Sequence, residues 1–238
     1  MQKRIEYLDS IKALGIILVV IGHYTSFLNS FIFLFHMPLF FFISGFLFKY
    51  EDNKTLLQKK GKRLMTPYIT YLLLFYLIPL ILIKGFIPEK IIKAIFGGAY
   101  LFGSVGVLWF VSCLFATMFL YNQTKSIKHK NLFIIIMLLL AYINQIYPYY
   151  LPGNANVALF TVFFFHLGYI YRQKYLNIHP PVYISFIIIT TLIIASYTYP
   201  LIKLELKTIK YGIPFLSAFL SSLCILSVFN IFKKNPNT

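Results

Sequence analysis

Apolar runs that approach or reach the roughly 20 residues needed to cross a bilayer recur along this chain, and they constrain its fold more than any motif does. Hydrophobic residues make up 59% of the 238 positions and charged residues only 12%, a balance outside the range of soluble domains. A soluble fold of this length would have to hide more apolar surface than one core can hold. The chain therefore reads as a polytopic membrane protein.

Hydropathy and length place helices at 9–28, 31–48, 65–83, 100–121, 131–147, 156–172, 182–201 and 211–232. The expected fold is all-α, a polytopic membrane helix bundle of about eight transmembrane helices in one integral-membrane domain over residues 1–238. Internal repeats and linkers are absent from the pattern. The N-terminal "MQKRIEYLDSIKALGIILVVIGHY" begins like a secretory signal, yet it carries Glu6, Asp9 and Lys12 and lacks a small-x-small cleavage site. It reads as a retained first helix.

Eight spans put both termini on one side, and the cations choose that side. Of 22 Lys and Arg residues, fifteen lie in one set of segments and six (Lys84, Lys90, Lys93, Lys203, Lys207 and Lys210) in the opposite set, with Lys12 inside the first span. By the positive-inside rule the termini are expected in the cytoplasm and the chain in the cell membrane. The formal charge of +16 follows the ends of apolar runs rather than a basic arm, which argues for membrane lipids as partners and for no nucleic acid. Cys113 and Cys224 lie inside apolar runs and read as packing residues, and no metal-ligand spacing is present.

Ionisable residues inside a span are costly and mark functional positions. The chain has six carboxylates, of which Asp9 alone begins a helix. Lys12 follows it, then His23 in "VVIGHY" and, beyond a turn expected at Asn29 and Ser30, His36 in "FHMPLFFFISGFLF". Lys12 and His23 are eleven residues apart, which returns to one helix face within about 20° and separates them by about 16 Å along the axis. His23 stands six residues before Asn29 and His36 six after Ser30, so a tight hairpin would bring both to similar depth. Ser44 and Gly45 would let another helix or a ligand approach closely. Asp9 has two readings, a helix N-terminal group or i,i+3 partner of Lys12, and a catalytic carboxylate. "LQKKGKRLMTPY" at 57–68 offers either a topology signal or a phosphate clamp, with Lys12 and Arg4 as further cations. Trp109 is read as interfacial packing or a pocket wall, and His166 as structural.

These pieces resemble the membrane acyltransferase 3 family, particularly its fucose O-acetylase-like branch. The resemblance rests on "YLDSIKALGIILVVIGHY", with Lys12 and His23, and on "FHMPLFFFISGFLF". It is extended by "KKGKRLMTPY", where Lys60 and Arg63 form a basic-x-x-basic pair, by "LWFVSCLF" and by "FFFHLGYIYR", in family order. It implies transfer of an acyl group, usually acetyl from acetyl-CoA, to a hydroxyl of a sugar or cell-surface glycan. It further implies catalysis at His23, a pocket role for His36, and contacts to the acyl-CoA cosubstrate from Lys12, Lys60 and Arg63. Such proteins have about ten membrane helices, so the chain is expected to be shortened by the last two. A homo-oligomer or a partner subunit would fill that gap.

Two other classes compete. Polar groups inside a bundle also mark the path of a transporter or flippase, although the inverted repeats of many transporters are absent. A non-catalytic membrane subunit would explain the missing helices.

Overall fold

A computed structural model describes residues 5–26, 28–199 and 203–233. Among them there is no strand, only an isolated antiparallel bridge between Glu205 and Lys210. The helices are α1 (Glu6–Tyr24), α2 (Asn29–Phe46), α3 (Asn53–Lys84), α4 (Pro88–Phe96), α5 (Trp109–Asn122), α6 (Lys130–Ile146), α7 (Ala158–Ile170), α8 (Val182–Thr198) and α9 (Pro214–Phe232). Six helical segments are long and apolar enough to cross a membrane, and α6 and α8 are shorter apolar helices. The chain is thus an all-α, multi-pass membrane protein. Its lipid-facing character shows on α3, where Ile69, Leu74, Phe75 and Leu82 are exposed, and on α8, where Ile187 and Ile194 are. Exposed apolar rows of this kind are what a hydrocarbon solvent allows.

Several boundaries differ from the hydropathy reading. The third helix begins at Asn53 rather than 65, because the basic stretch "LQKKGKRLMTPY" is helical, with a π-turn over Leu57–Gly61. A hydropathy window cannot see a helix that continues through charges. A second π-turn at Leu73–Leu77 precedes Pro79, which lacks an N–H and would otherwise crowd the carbonyl four residues back. The span expected at 100–121 is α-helical only from Trp109, and Gly98–Tyr100 and Gly103–Leu108 wind as 3-10 turns.

The chain forms two compact units. The first holds α1, α2, the later part of α7, α8 and α9, and the second holds α3 to α6 with the first part of α7. The core of the first unit is aromatic. Phe42 and Phe229 rings stand 4.7 Å apart, and Phe46 and Tyr171 pack against Phe229 at 6.0 and 5.7 Å. Gly45 and Gly168 let α2 and α7 meet backbone to backbone: a Cβ on Gly45 would stand 2.6 Å from the Phe165 carbonyl carbon, and one on Gly168 2.8 Å from that of Phe42. The helix admitted by Gly45 is therefore α7. Arg172, just beyond α7, donates to the Phe46 carbonyl at 3.1 Å and satisfies a C-terminal orphan of α2.

In the second unit, Leu72, Ala94, Leu101, Val105 and Leu108 form an apolar cluster. The uncharged loop at 147–156 is anchored by buried Asn154 and Asn156, while Tyr147, Tyr149 and Leu151 are exposed. Gly153 and Asn154 are left-handed (φ 65° and 58°). Asn154 accepts from the Ala99 N–H at 2.8 Å, and Asn156 donates to Asn144 at 2.8 Å. Cys113 and Cys224 are free thiols, both buried.

Candidate active site

α1 ends at Tyr24 and α2 begins at Asn29, so the turn between them precedes Asn29 and Ser30 rather than falling on them. Asn29 instead folds its amide back to donate to the Gly22 carbonyl at 2.7 Å, and the Thr25 hydroxyl donates to Ile21 at 3.1 Å. The first satisfies a carbonyl left over at the end of α1, and the second adds to the Thr25 N–H bond that the Ile21 carbonyl already accepts at 2.9 Å. Leu28 closes the turn in the left-handed region (φ 55°). Gly15 and Gly22, seven residues apart on α1, take the side chains of Phe40 and Ile32 from α2. The hairpin is held by small-to-large packing together with these capping bonds.

With the turn moved, His23 lies one residue from the end of α1 and His36 seven residues into α2. Their rings nevertheless meet edge to face, centroids 6.4 Å apart. The reason lies in side-chain direction. Every Cα–Cβ bond tilts toward its helix N-terminus, so His23 leans away from the turn and His36 leans toward it. Phe33 completes a three-ring cluster, 5.4 Å from His23 and 4.9 Å from His36.

The two histidines differ in exposure. His36 is 1% exposed and its Nδ1–H donates to the Ile32 carbonyl at 2.7 Å. A carbonyl can only accept, so the neutral ring carries its proton on Nδ1 and leaves the Nε2 lone pair free. The imidazole of His23 is exposed. The pair thus joins an accessible base to a buried ring of fixed tautomer.

At the same end of the first unit, the connection between α8 and α9 reaches over Phe33. The Lys203 ammonium lies 4.7 Å from the Phe33 centroid, and Glu205 holds it at 3.0 Å. Glu205 also pairs with Lys210 at 3.8 Å, and the backbone of the two residues bonds in both directions, at 2.8 and 3.1 Å. Sequence reasoning assigned these residues only to an outer loop. No spacing signal links positions some 170 residues apart, and the contact is purely tertiary.

The remaining site residues lie elsewhere. Asp9 meets Lys12 at 3.2 Å, the i,i+3 pair that the spacing allowed. It stands fourteen residues before His23, about 21 Å away along the helix, so the structure brings it to Lys12 and not to the histidines. Lys60 and Arg63 belong to the second unit, three residues apart on α3, with Lys60 in its π-turn and Arg63 just beyond it. Lys60 is half-buried and Arg63 exposed. Gly61, between them, is buried against Phe115. Arg4 lies outside the described residues. Trp109 is buried, as is His166. Among the described residues no cluster of three or more His, Cys, Asp or Glu side chains is placed to hold a metal ion.

Comparison with known families gives one match. A family model described as an acyltransferase domain, that of the acyltransferase 3 family, covers residues 5–236. No curated protein and no solved structure matches the chain.

Proposed function

The chain belongs to the acyltransferase 3 family, and we propose that this membrane acyltransferase is an O-acetyltransferase of the cell membrane, moving acetyl from acetyl-CoA to a hydroxyl of a sugar or cell-surface glycan. The observation that carries the reading is the exposed imidazole of His23 packed against buried His36 and Phe33. A fucose O-acetylase-like chemistry is the particular form the sequence favours.

In this reading His23 takes the proton of the acceptor hydroxyl as its oxygen attacks the thioester carbonyl. The new C–O bond forms, the tetrahedral intermediate collapses, and the C–S bond breaks. The imidazolium returns its proton to the departing CoA sulfur. Imidazole suits both transfers near neutral pH. His36, buried behind the ring of His23, is assigned to shaping the pocket. Asp9 is assigned to holding Lys12 rather than to the chemistry, which their 3.2 Å contact supports. Lys60 and Arg63, and separately Lys12 and Arg4, are the proposed cationic contacts of the donor, since Lys and Arg suit its phosphates.

Release of CoA from acetyl-CoA tests this, with wild-type protein and His23→Ala in detergent and a panel of hydroxylated sugars and isolated cell-envelope glycans. Acceptor-dependent release that His23→Ala loses while remaining folded is the expected result. Equal release by the folded variant would refute the role of His23. No release from folded wild-type protein would favour the transporter or non-catalytic readings.

A further inference from the structure

We propose that Phe33, Lys203 and Glu205 form the binding subsite for a saccharide acceptor, beside the histidine pair. The proposal rests on the acyltransfer reading for its place in a reaction, and on its own geometry for the ligand class.

Three features converge at one point. Phe33 is a half-buried aromatic ring in T-shaped contact with both His23 and His36. A π-face carries negative potential and attracts positively polarised groups. In the unliganded protein that role falls to the Lys203 ammonium, 4.7 Å from the ring centroid. The C–H face of a pyranose has the same complementarity. Around the ring stand a donor, Lys203, and an acceptor, the Glu205 carboxylate, 3.0 Å apart and both half-buried. A pocket with an apolar floor and a few convergent charged groups is how small polar ligands are oriented. Sugar hydroxyls both donate and accept, so they can use the two partners at once.

The subsite is also held in place. Glu205 is anchored by its two backbone bonds to Lys210 and by the Lys210 ammonium. Leu204, Leu206, Ile209 and Tyr211 in the same segment are buried. Lys203 stands two residues before the bridge that Glu205 makes with Lys210, and a partly exposed ion pair is cheap to rearrange. A sugar can therefore take the ring face while Lys203 turns to donate to it. Lys203, Glu205 and Lys210 together carry one net positive charge, which suits a neutral acceptor or one bearing a single anionic substituent.

The test uses the full chain in detergent, as wild type, Lys203→Met, Phe33→Leu, Glu205→Gln and His23→Ala. The probes are glucose, N-acetylglucosamine and isolated cell-envelope glycan, which separate a free sugar from a polymer-borne one. Two readouts are taken: the shift of the thermal unfolding midpoint on adding saccharide, and the KM values for acceptor and acetyl-CoA in CoA release. A ligand that binds only the folded protein raises the midpoint. The expected result is a saccharide-dependent shift in wild type and His23→Ala that Lys203→Met and Glu205→Gln lose. The acceptor KM rises about tenfold or more in those variants with the acetyl-CoA KM unchanged, a loss of about 1.4 kcal/mol. A merely structural clamp would lower all midpoints and leave the saccharide shift intact. Saccharide shifts lost in the variants without any CoA release would uphold the subsite and reject the transferase. CoA release with an unchanged acceptor KM in Lys203→Met, or no saccharide engaging wild type by either readout, would overturn the subsite.

Discussion

Substituting Gly45 by Ala tests the crossing on which the first unit depends. A Cβ there would meet the backbone of Phe165, its carbonyl oxygen well inside contact and its Cα at 2.9 Å. Backbone cannot rotate away as a side-chain tip can, so α2 and α7 must part by about 1 Å. Such a gap forfeits between a quarter and a half of each dispersion contact along the seam. The seam is rich in them: Phe42, Phe46, Phe164 and Phe165 are all fully buried. Gly45→Ala should therefore cost about 3 kcal/mol, the upper part of the overpacking range. Gly168→Ala meets the Phe42 carbonyl and the Phe46 backbone nitrogen, the latter at 2.9 Å, and should cost a similar amount. The informative measurement is the double variant. One separation of the helices relieves both clashes, so Gly45→Ala with Gly168→Ala should cost less than the sum, by about 1–3 kcal/mol of coupling. Reversible unfolding in mixed detergent micelles gives the three values. A single-variant cost below about 1 kcal/mol, or strict additivity in the cycle, would refute the close approach.

Two further outcomes follow from the capping bonds. Asn29→Ala removes the bond to the Gly22 carbonyl and should lower stability by about 1 kcal/mol, the net worth of one hydrogen bond. It should lower CoA release as well, because Gly22 directly precedes His23; normal turnover in a destabilised variant would separate the cap from the site. At the start of α3, hydrogen bonds from the Thr55 hydroxyl and backbone N–H hold the Asp52 carboxyl below its ordinary range. Folding favours the charged form, so the contribution is present at neutral pH and is lost as pH falls through the lowered pKa. Protection of the Thr55 amide, its exchange rate relative to the unprotected rate at the same pH, should fall in acid in the wild type, and Asp52→Asn should flatten that dependence while keeping a cap.

The sequence made the hairpin legible for sound reasons and its turn for a wrong one. Asn and Ser favour turns, so the turn was expected at Asn29 and Ser30. Asn29 proved more useful one step on, where its amide reaches back to Gly22. The pairing of His23 with His36 survived that shift because opposed helices lean their side chains toward each other's level. Depth counted in residues alone, one from the end of α1 against seven into α2, would have offset the rings by about six helical rises. Gly45 announced a close approach, but the identity of α7 as the partner depended on packing that no local pattern encodes. The basic stretch at 57–68 failed differently. Its charges lower the hydropathy average, so the helix that starts at Asn53 is expected only from 65, and Lys60 and Arg63 prove to stand on α3 rather than before it.

The part of the site that remained invisible is the proposed acceptor subsite. A nucleophile-activating base has to be a titratable group inside a span, and such groups are scarce enough to find by inspection. Recognition of an acceptor has no such requirement. Phe33 is one of 26 phenylalanines and Lys203 one of 22 cations, and neither is unusual until the 4.7 Å contact joins them. The same asymmetry sets how such a scaffold can change. Moving His23 or His36 disrupts a ring cluster fixed by the Asn29 cap and the His36 bond to Ile32. Residues of the connection between α8 and α9 can vary while the bridge from Glu205 to Lys210 keeps its backbone bonds, since these need no particular side chain. Substitutions at 203 should therefore alter which hydroxyl-bearing molecules are acylated before they alter whether acylation occurs.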